Sequence, residues 1–349
     1  MSKPKPTAID LFSGCGGLTC GLKQAGFRVI GAVEINELAA KTFKKNHRNV
    51  DVFKDDIREL VPEDWMAKLG LKAGELDLLA GCPPCQGFST LRTKNGAKRN
   101  RDRRNGLVRQ IVRLVEVFRP KAILMENVPG LRSKEVFREF IRELKALEYL
   151  PQEDVHDVSN FNVPQRRKRL VLAAGRGFEI PFAREAVGLS TVRTAIESLP
   201  KAGESGDRWH DYPEQRTPLM LERIRATPKN GGSRSSWPDH LWLKCHRETD
   251  GFKDVYGRMK WDSVAPTITG GCFNPSRGRF LHPEEDRGIT LREAALLQSF
   301  PEDYKFAETA TKQEVALMIG NAIPPEFVRR QGLEIRKAIK RARGEGLLA

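Results

Sequence analysis

Cysteine is scarce in this 349-residue chain. Cys15, Cys20, Cys82, Cys85, Cys245 and Cys272 are too few and too scattered for a disulfide framework, so a reducing setting is expected. Long apolar runs are missing too, and no segment approaches the ~20 residues of a membrane-spanning helix. Met1–Pro6 is short and polar and leads directly into an apolar stretch, without the h-region of a secretory signal. A soluble, cytoplasmic protein is the expectation. Acidic residues are outnumbered, 45 against 60 Lys and Arg, for a formal net charge of +15. That excess favours a polyanionic partner, nucleic acid first. On charge alone, a basic enzyme whose lysines only solvate its surface fits equally well.

What is present is organised. Over the first 175 residues short apolar runs alternate with helical patterns, as in a mostly parallel, doubly wound α/β sheet. Strands are expected at Thr7–Phe12, Arg28–Glu34, Leu76–Ala80, Ala122–Glu126 and Leu170–Ala174. Helices are expected at Leu18–Ala25, Leu107–Phe118 and Val136–Leu147. From about Phe178 to Ala265 the alternation is lost, and Pro, Gly, Trp and charged residues dominate. Helical spacing returns at Leu291–Leu297 and Pro325–Ala342. The expected division is a catalytic and cofactor-binding domain over 1–176, a smaller loop-rich lobe over 177–265, and a hinge and return to the first domain over 266–349.

The segment Ile9-Asp10-Leu11-Phe12-Ser13-Gly14-Cys15-Gly16-Gly17 puts glycines where a strand turns into a helix. A ligand can approach the backbone closely there, at a positive helix N-terminus. Glu34 stands at the end of the next strand, where a carboxylate can accept from both hydroxyls of a ribose. Together these suit a nucleoside-containing cofactor. The spacing G-x-G-G is not the dinucleotide fingerprint, which disfavours hydride transfer. A tight turn with Glu34 closing a strand is the plain alternative. Asp56, beside Ile57, suits an adenine amino group or, standing alone, a helix N-cap.

Gly81-Cys82-Pro83-Pro84-Cys85-Gln86-Gly87-Phe88-Ser89 follows an apolar strand and so falls at the carboxyl edge of the sheet, where ligands bind in open α/β folds. A thiol at Cys85 can attack an electrophilic ring carbon if its pKa is brought down from about 8.5. The Cys-x-x-Cys pair also suits a redox couple or half a zinc site. No second Cys or Cys/His pair supports a metal site, so none is expected and Cys82 reads as a small buried residue. Ala122–Gly130 ends a further strand with Glu126 at the same edge, where burial would raise its pKa and let it hold a proton. In Gln165-Arg166-Arg167-Lys168-Arg169 the alternation sends Arg167 and Arg169 to one side of an extended segment.

Five strings in this order resemble the cytosine-C5 DNA methyltransferase family from residue 7 to about 330: Asp-Leu-Phe-Ser-Gly-Cys-Gly-Gly, Pro-Pro-Cys-Gln-Gly-Phe-Ser, Glu-Asn-Val, Gln-Arg-Arg-Lys-Arg and Gly320-Asn321-Ala322-Ile323-Pro324-Pro325. The resemblance implies a fold of the S-adenosylmethionine-dependent methyltransferase type, with the loop-rich lobe recognising the target. S-adenosyl-L-methionine would be the cofactor and S-adenosyl-L-homocysteine the product. It implies that Phe12 stacks on the cofactor adenine, with Ser13, Gly14, Gly16 and Gly17 forming the cradle. Glu34 would bind the ribose, Asp56 and Ile57 the adenine edge, and Asn321 would support the cofactor side and the hinge. Cys85 would be the nucleophile, Glu126 would contact cytosine N3 and its amino group, and Arg167 and Arg169 would steady the base and the pocket. Ile289–Pro301 looks like the family's penultimate motif, with Ser299 in place of the commoner glycine; a minor backbone adjustment is expected there.

Double-stranded DNA is the implied partner. A flipped-out cytosine is the implied substrate, because C5 and C6 cannot be reached inside the stack. Arg92–Asn105 carries seven basic residues and one Asp in 14 positions, and suits phosphate contact. Ser89, Arg99, Arg101, Arg103, Arg234 and Thr267 are the candidate DNA contacts. The size suits a monomeric prokaryotic modification enzyme near the nucleoid, with any cognate restriction endonuclease acting separately. A tRNA cytosine methyltransferase on the same plan and a catalytically silent DNA-binding relative are the rivals.

Overall fold

The computed structural model describes residues 4–84, 106–244, 247 and 253–348. The alternation in the first half of the chain builds a seven-stranded sheet of order β3-β2-β1-β4-β5-β7-β6. The strands are β1 (Thr7–Leu11), β2 (Arg28–Val33), β3 (Asp51–Phe53), β4 (Leu78–Gly81), β5 (Ala122–Asn127), β6 (Tyr149–Asp157) and β7 (Lys168–Arg176). β1 through β5 pair in parallel, and β7 runs antiparallel between β5 and β6. Strand order reverses between β1 and β4, a switch point whose carboxyl side is the ligand crevice of such folds.

β4 and β5 are buried along their whole length, as continuous apolar runs in a two-sided parallel sheet require. Helices α1 (Gly17–Gln24), α2 (Glu37–Asn46), α3 (Pro62–Lys68), α4 (Leu107–Phe118) and α5 (Glu135–Ala146) connect the strands. In α4 the buried face is Val108, Ile111, Val112, Leu114, Val115 and Phe118, a helical period, and left-handed Arg119 with Pro120 ends it. β6 carries no apolar run because it is an edge strand; most of its residues are only half-buried, and Pro151 is tolerated there.

The chain divides into two compact units. One comprises Met1–Phe161, Lys168–Glu185 and Ile323–Ala349; the other comprises Asn162–Arg167 and Ala186–Ala322. Residues 266–322 therefore cluster with 186–265, whereas the sequence grouped them with the return to the first domain. Only from Ile323 onward, with helix α10 (Pro325–Gly344), does the chain rejoin the sheet unit, where α10 packs on α1.

The second unit holds short helices α6 (Val192–Ile196), α7 (Pro218–Ala226), α8 (Leu291–Leu297) and α9 (Lys312–Asn321) among 3-10 turns and loops. Leu291, Leu297, Phe300, Phe306, Val315 and Ile319 are buried around α8 and α9. One apolar cluster of the unit is Ile224, Trp237, Leu241, Val255, Tyr256 and Leu281. Fully buried Arg258 binds the chain around that cluster, donating to the carbonyls of Ile224, Thr227, His282 and Glu285 and to the Asp286 carboxylate. Among the described residues no helix is long and apolar enough to cross a membrane.

Candidate active site

The glycine-rich loop leaves β1 through alternate left-handed residues, Phe12 (φ 60°), Gly14 (φ 54°) and Gly16 (φ 103°). Two hydrogen bonds fix its path: Ser13 N–H donates to the Val33 carbonyl (2.9 Å) and Gly16 N–H to the Ser13 carbonyl (2.9 Å). Phe12 lies half-buried against the core. Glu34 closes the loop from the end of β2: one carboxylate oxygen accepts from Gly14 N–H and the other from Asn36 N–H, both at 2.7 Å. Burial raises the Glu34 pKa, and those two amides oppose the shift.

Beneath the loop sits a layer the sequence did not assign. Asp10 is buried and accepts the Thr19 hydroxyl at 2.6 Å; burial pushes its carboxyl up to about 7 against that hydrogen bond. His47 reaches the Gly16 carbonyl with Nε2 at 3.3 Å, and burial lowers it to about 4. Two buried oxygens at the loop, Asp10 Oδ1 and Ser13 Oγ, have no hydrogen-bond partner, and the space beside Gly14 is open within 4 Å. Unsatisfied buried polar atoms beside an open cradle fit a polar ligand seated on the loop. The cradle and Glu34 together suit the aminoacyl and ribose portions of S-adenosylmethionine.

Asp56 is engaged elsewhere. Arg58 grips both of its oxygens, with Nε at 2.9 and 3.0 Å, and Arg58 N–H donates to it at 3.0 Å. No helix starts there, so it caps a turn and not the helix N-terminus that was the alternative, and the Arg58 hydrogen bonds hold its pKa low. Ile57 is buried.

At the carboxyl end of β5, Glu126 is 7% exposed and pairs with Arg169 Nε at 2.6 Å. Cys82, at the end of β4, also hydrogen-bonds Glu126, and burial first and that carboxylate next push its thiol well up, keeping it protonated. Asn127 donates to the Pro83 carbonyl at 3.0 Å, fastening the end of the β4 segment onto β5. Asn127 and Cys82 were not singled out for this from the sequence; their signal was their place beside Glu126 and Cys85. Cys85, Ser89, Arg99, Arg101 and Arg103 lie outside the described residues.

A family model for C-5 cytosine-specific DNA methylases matches residues 7–337. The chain belongs to that family. It is a DNA cytosine-5 methyltransferase. It is 38% identical to the type II methylase M.HgiDII of Herpetosiphon aurantiacus over 95% of this chain and 94% of that one. It is 33% identical to the type II methyltransferase M1.HphI of Haemophilus parahaemolyticus, over 91% and 83%. Among solved structures, an Escherichia coli prophage protein described as a DNA modification methyltransferase superposes with a TM-score of 0.74, at 23% identity over 96% of this chain and 99% of that one. Dnmt2 of S. pombe superposes at 0.62, with 21% identity and the same coverage. These two show the fold, shared with solved methyltransferase structures.

The remaining residues singled out from the sequence lie in the second unit. Arg167 is buried and donates to the carbonyls of Ile268 (2.9 Å) and Gly320 (2.8 Å), so its guanidinium binds backbone. Gly320 belongs to the Gly-Asn-Ala-Ile-Pro-Pro string for a steric reason: a Cβ there would stand 2.3 Å from Gly270 N and 2.4 Å from the Thr269 carbonyl carbon. Asn321 ends α9 with an exposed side chain. Thr267 is exposed, its hydroxyl donating to the Arg166 carbonyl (2.8 Å). Arg234, expected at nucleic acid, is 5% exposed with its guanidinium over the Trp242 ring. Ser299 keeps the left-handed conformation a glycine would favour (φ 61°), so the residue changes and the turn does not.

Proposed function

We propose that this DNA cytosine-5 methyltransferase acts on a cytosine turned out of duplex DNA, through a covalent bond from Cys85 to C6, with S-adenosylmethionine as methyl donor. The observation that carries the reading is the row at the carboxyl edge of the sheet: the open glycine cradle after β1, Glu34 after β2, Cys82 after β4, and Glu126 on β5 paired with Arg169 on β7. Bound in that cradle, S-adenosylmethionine supplies an electrophilic sulfonium methyl group.

The chain's own residues do the rest. Cys85 thiolate adds to C6 and makes C5 a carbon nucleophile. Glu126 holds N3 and the amino group, and the Arg169 guanidinium and Cys82 thiol fix its carboxylate against the sheet edge. After transfer, loss of the C5 proton and departure of Cys85 give 5-methylcytosine. Ser89, Arg99, Arg101, Arg103 and Thr267 would meet DNA phosphates or bases. Arg234 would act through the shape of the second unit, which would read the sequence as a target-recognition lobe. The names of the relatives support a type II modification role; the enzyme would act as a monomer, with any cognate endonuclease acting separately.

The test is incubation with S-adenosylmethionine and unmethylated genomic DNA, then mapping of 5-methylcytosine at single-base resolution. One short marked sequence is expected, and none with Cys85→Ser. Methylation by that variant would sink the covalent scheme; label appearing on tRNA alone would move the substrate to RNA.

A further inference from the structure

The last helix presents a surface that methyl transfer does not use. Between Arg336 and Arg343, α10 carries five cations in eight residues and no acid. Ala338, Ile339 and Ala342 face the core, while Arg336, Lys337, Lys340, Arg341 and Arg343 are exposed. Arg336 Nη1 lies over Gly26, two residues from exposed Arg28, which extends the patch.

Little on the protein neutralises it. Lys337 pairs with Glu334 (2.7 Å), Arg343 with Asp77 (2.5 Å), and Arg341 donates to the Glu179 carbonyl. Among the described residues Arg336 and Lys340 have no ion pair. Surfaces that merely keep a protein soluble intersperse both signs, and this one does not.

Its position sets it apart from the candidate active-site residues. Asp77, which Arg343 holds, directly precedes β4 and accepts Thr7 N–H at the start of β1 (2.8 Å). The patch therefore lies at the amino edge of the sheet, and the cradle, Glu34 and Glu126 at the carboxyl edge. The five residues of β1 alone separate the two edges by about 16 Å. A duplex lying across one edge meets the other only if it bends or runs along the strands.

We propose that this face of α10 is a second docking surface, for a separate segment of duplex DNA. The inference rests on the reading of DNA as substrate. Arg336, Lys340 and Arg343 form one row at i, i+4 and i+7, and Lys337 with Arg341 a parallel row, in steps of about 4.5–6 Å. A small anion would use one or two of these cations. A duplex, with one charge per ~1.7 Å of axis, meets both rows wherever it lands and needs no particular sequence. An enzyme holding two segments passes from one to the other before releasing the first.

The test is the dissociation rate of a labelled non-cognate duplex from the full-length enzyme as unlabelled duplex is raised. For the wild type the rate is expected to climb with competitor. For Arg336→Ala/Lys337→Ala/Lys340→Ala it should stay flat, and the salt slope of binding should fall by about 2–3, near 0.9 for each phosphate no longer neutralised. Melting temperature and single-turnover methylation of a cognate duplex serve as controls, and Arg336→Gln/Lys340→Gln replaces the triple variant if that variant melts early. A flat wild-type rate, or a variant that behaves as wild type, overturns the proposal. Polyglutamate that accelerates release as well as duplex overturns DNA as the partner. Competitor dependence without methylation of any DNA would sink the catalytic reading and leave this one standing.

Discussion

The two units solve the same folding problem with different materials. The sheet unit is held by a backbone ladder and an aliphatic and aromatic core running from Ile9 through Leu79, Leu114 and Phe140 to Leu172. The second unit also buries apolar residues, but it has only isolated bridges among its described residues and closes its loops with buried charge. Arg258 gathers four carbonyls. The Arg287 guanidinium meets both oxygens of buried Glu293 (2.7 and 2.8 Å), and Arg292 spans from Asp207 to the Tyr304 carbonyl. Apolar packing tolerates substitution by shape, whereas a buried cation tolerates almost none, because every carbonyl it leaves behind stays dry.

The contrast can be broken most forcefully at Arg258. Arg258→Met should destabilise the second unit by about 3–5 kcal/mol, since its carbonyl partners and Asp286 lose their donor. Four tryptophans, Trp209, Trp237, Trp242 and Trp261, lie in that unit and only Trp65 in the other, so fluorescence should be lost at lower denaturant than far-UV dichroism. Leu114→Ala, in the sheet unit, should cost about 3 kcal/mol and reverse that order. Equal shifts of both signals by both variants would mean that the units do not unfold separately.

Acid should act on the two units through different buried groups. Folded Asp10 titrates near 7 against 3.8 for the ordinary carboxyl, so between those values the folded state binds the extra proton. Asp10 therefore adds stability to the sheet unit as pH falls from 7 toward 4, whereas His47, lowered to about 4 from 6.5 by burial, withdraws stability as pH falls from 6.5. Asp10→Asn should remove the first contribution and leave only the loss. Burial works against the Glu293 carboxylate, yet the Arg287 hydrogen bonds and charge hold its pKa below the ordinary 4.5. Its contribution is present above about 4.5 and is lost as pH falls through the lower folded value. Denaturant midpoints at pH 7.5, 5 and 3.5, followed by dichroism and fluorescence separately, check both signs. The smallest effect is expected at Ser299→Gly, where relief of the left-handed backbone should raise stability by under about 1 kcal/mol, read as a slight rise in melting temperature.

The same contrast explains what the sequence disclosed. Apolar period located β4, β5, α4 and α8 closely, because those elements are apolar on the faces they bury. β6 was missed because an edge strand needs no apolar run, and α2 because its buried face is small, Ala39, Ala40, Thr42 and Phe43. The places of the loop, Glu34, Glu126 and Arg169 at the sheet edge were legible because each lies at or beside a strand end. Asp10 and His47 were not, since a buried carboxylate and a buried imidazole are recognised only by what covers them. Arg167 and Arg234 were read as facing substrate, whereas an arginine that binds backbone or packs on a ring looks the same in a sequence as one that grips a phosphate.

The Arg167 clamp has a consequence for synthesis on the ribosome. Its two carbonyl partners, Ile268 and Gly320, lie 101 and 153 positions further along the chain, and the sheet unit is completed only by α10, later still. While the intervening polypeptide is being made, that guanidinium has neither partner. Neither unit reaches its final form until the chain is nearly complete, so a messenger cut short before residue 320 yields an unfastened product, not a smaller working enzyme.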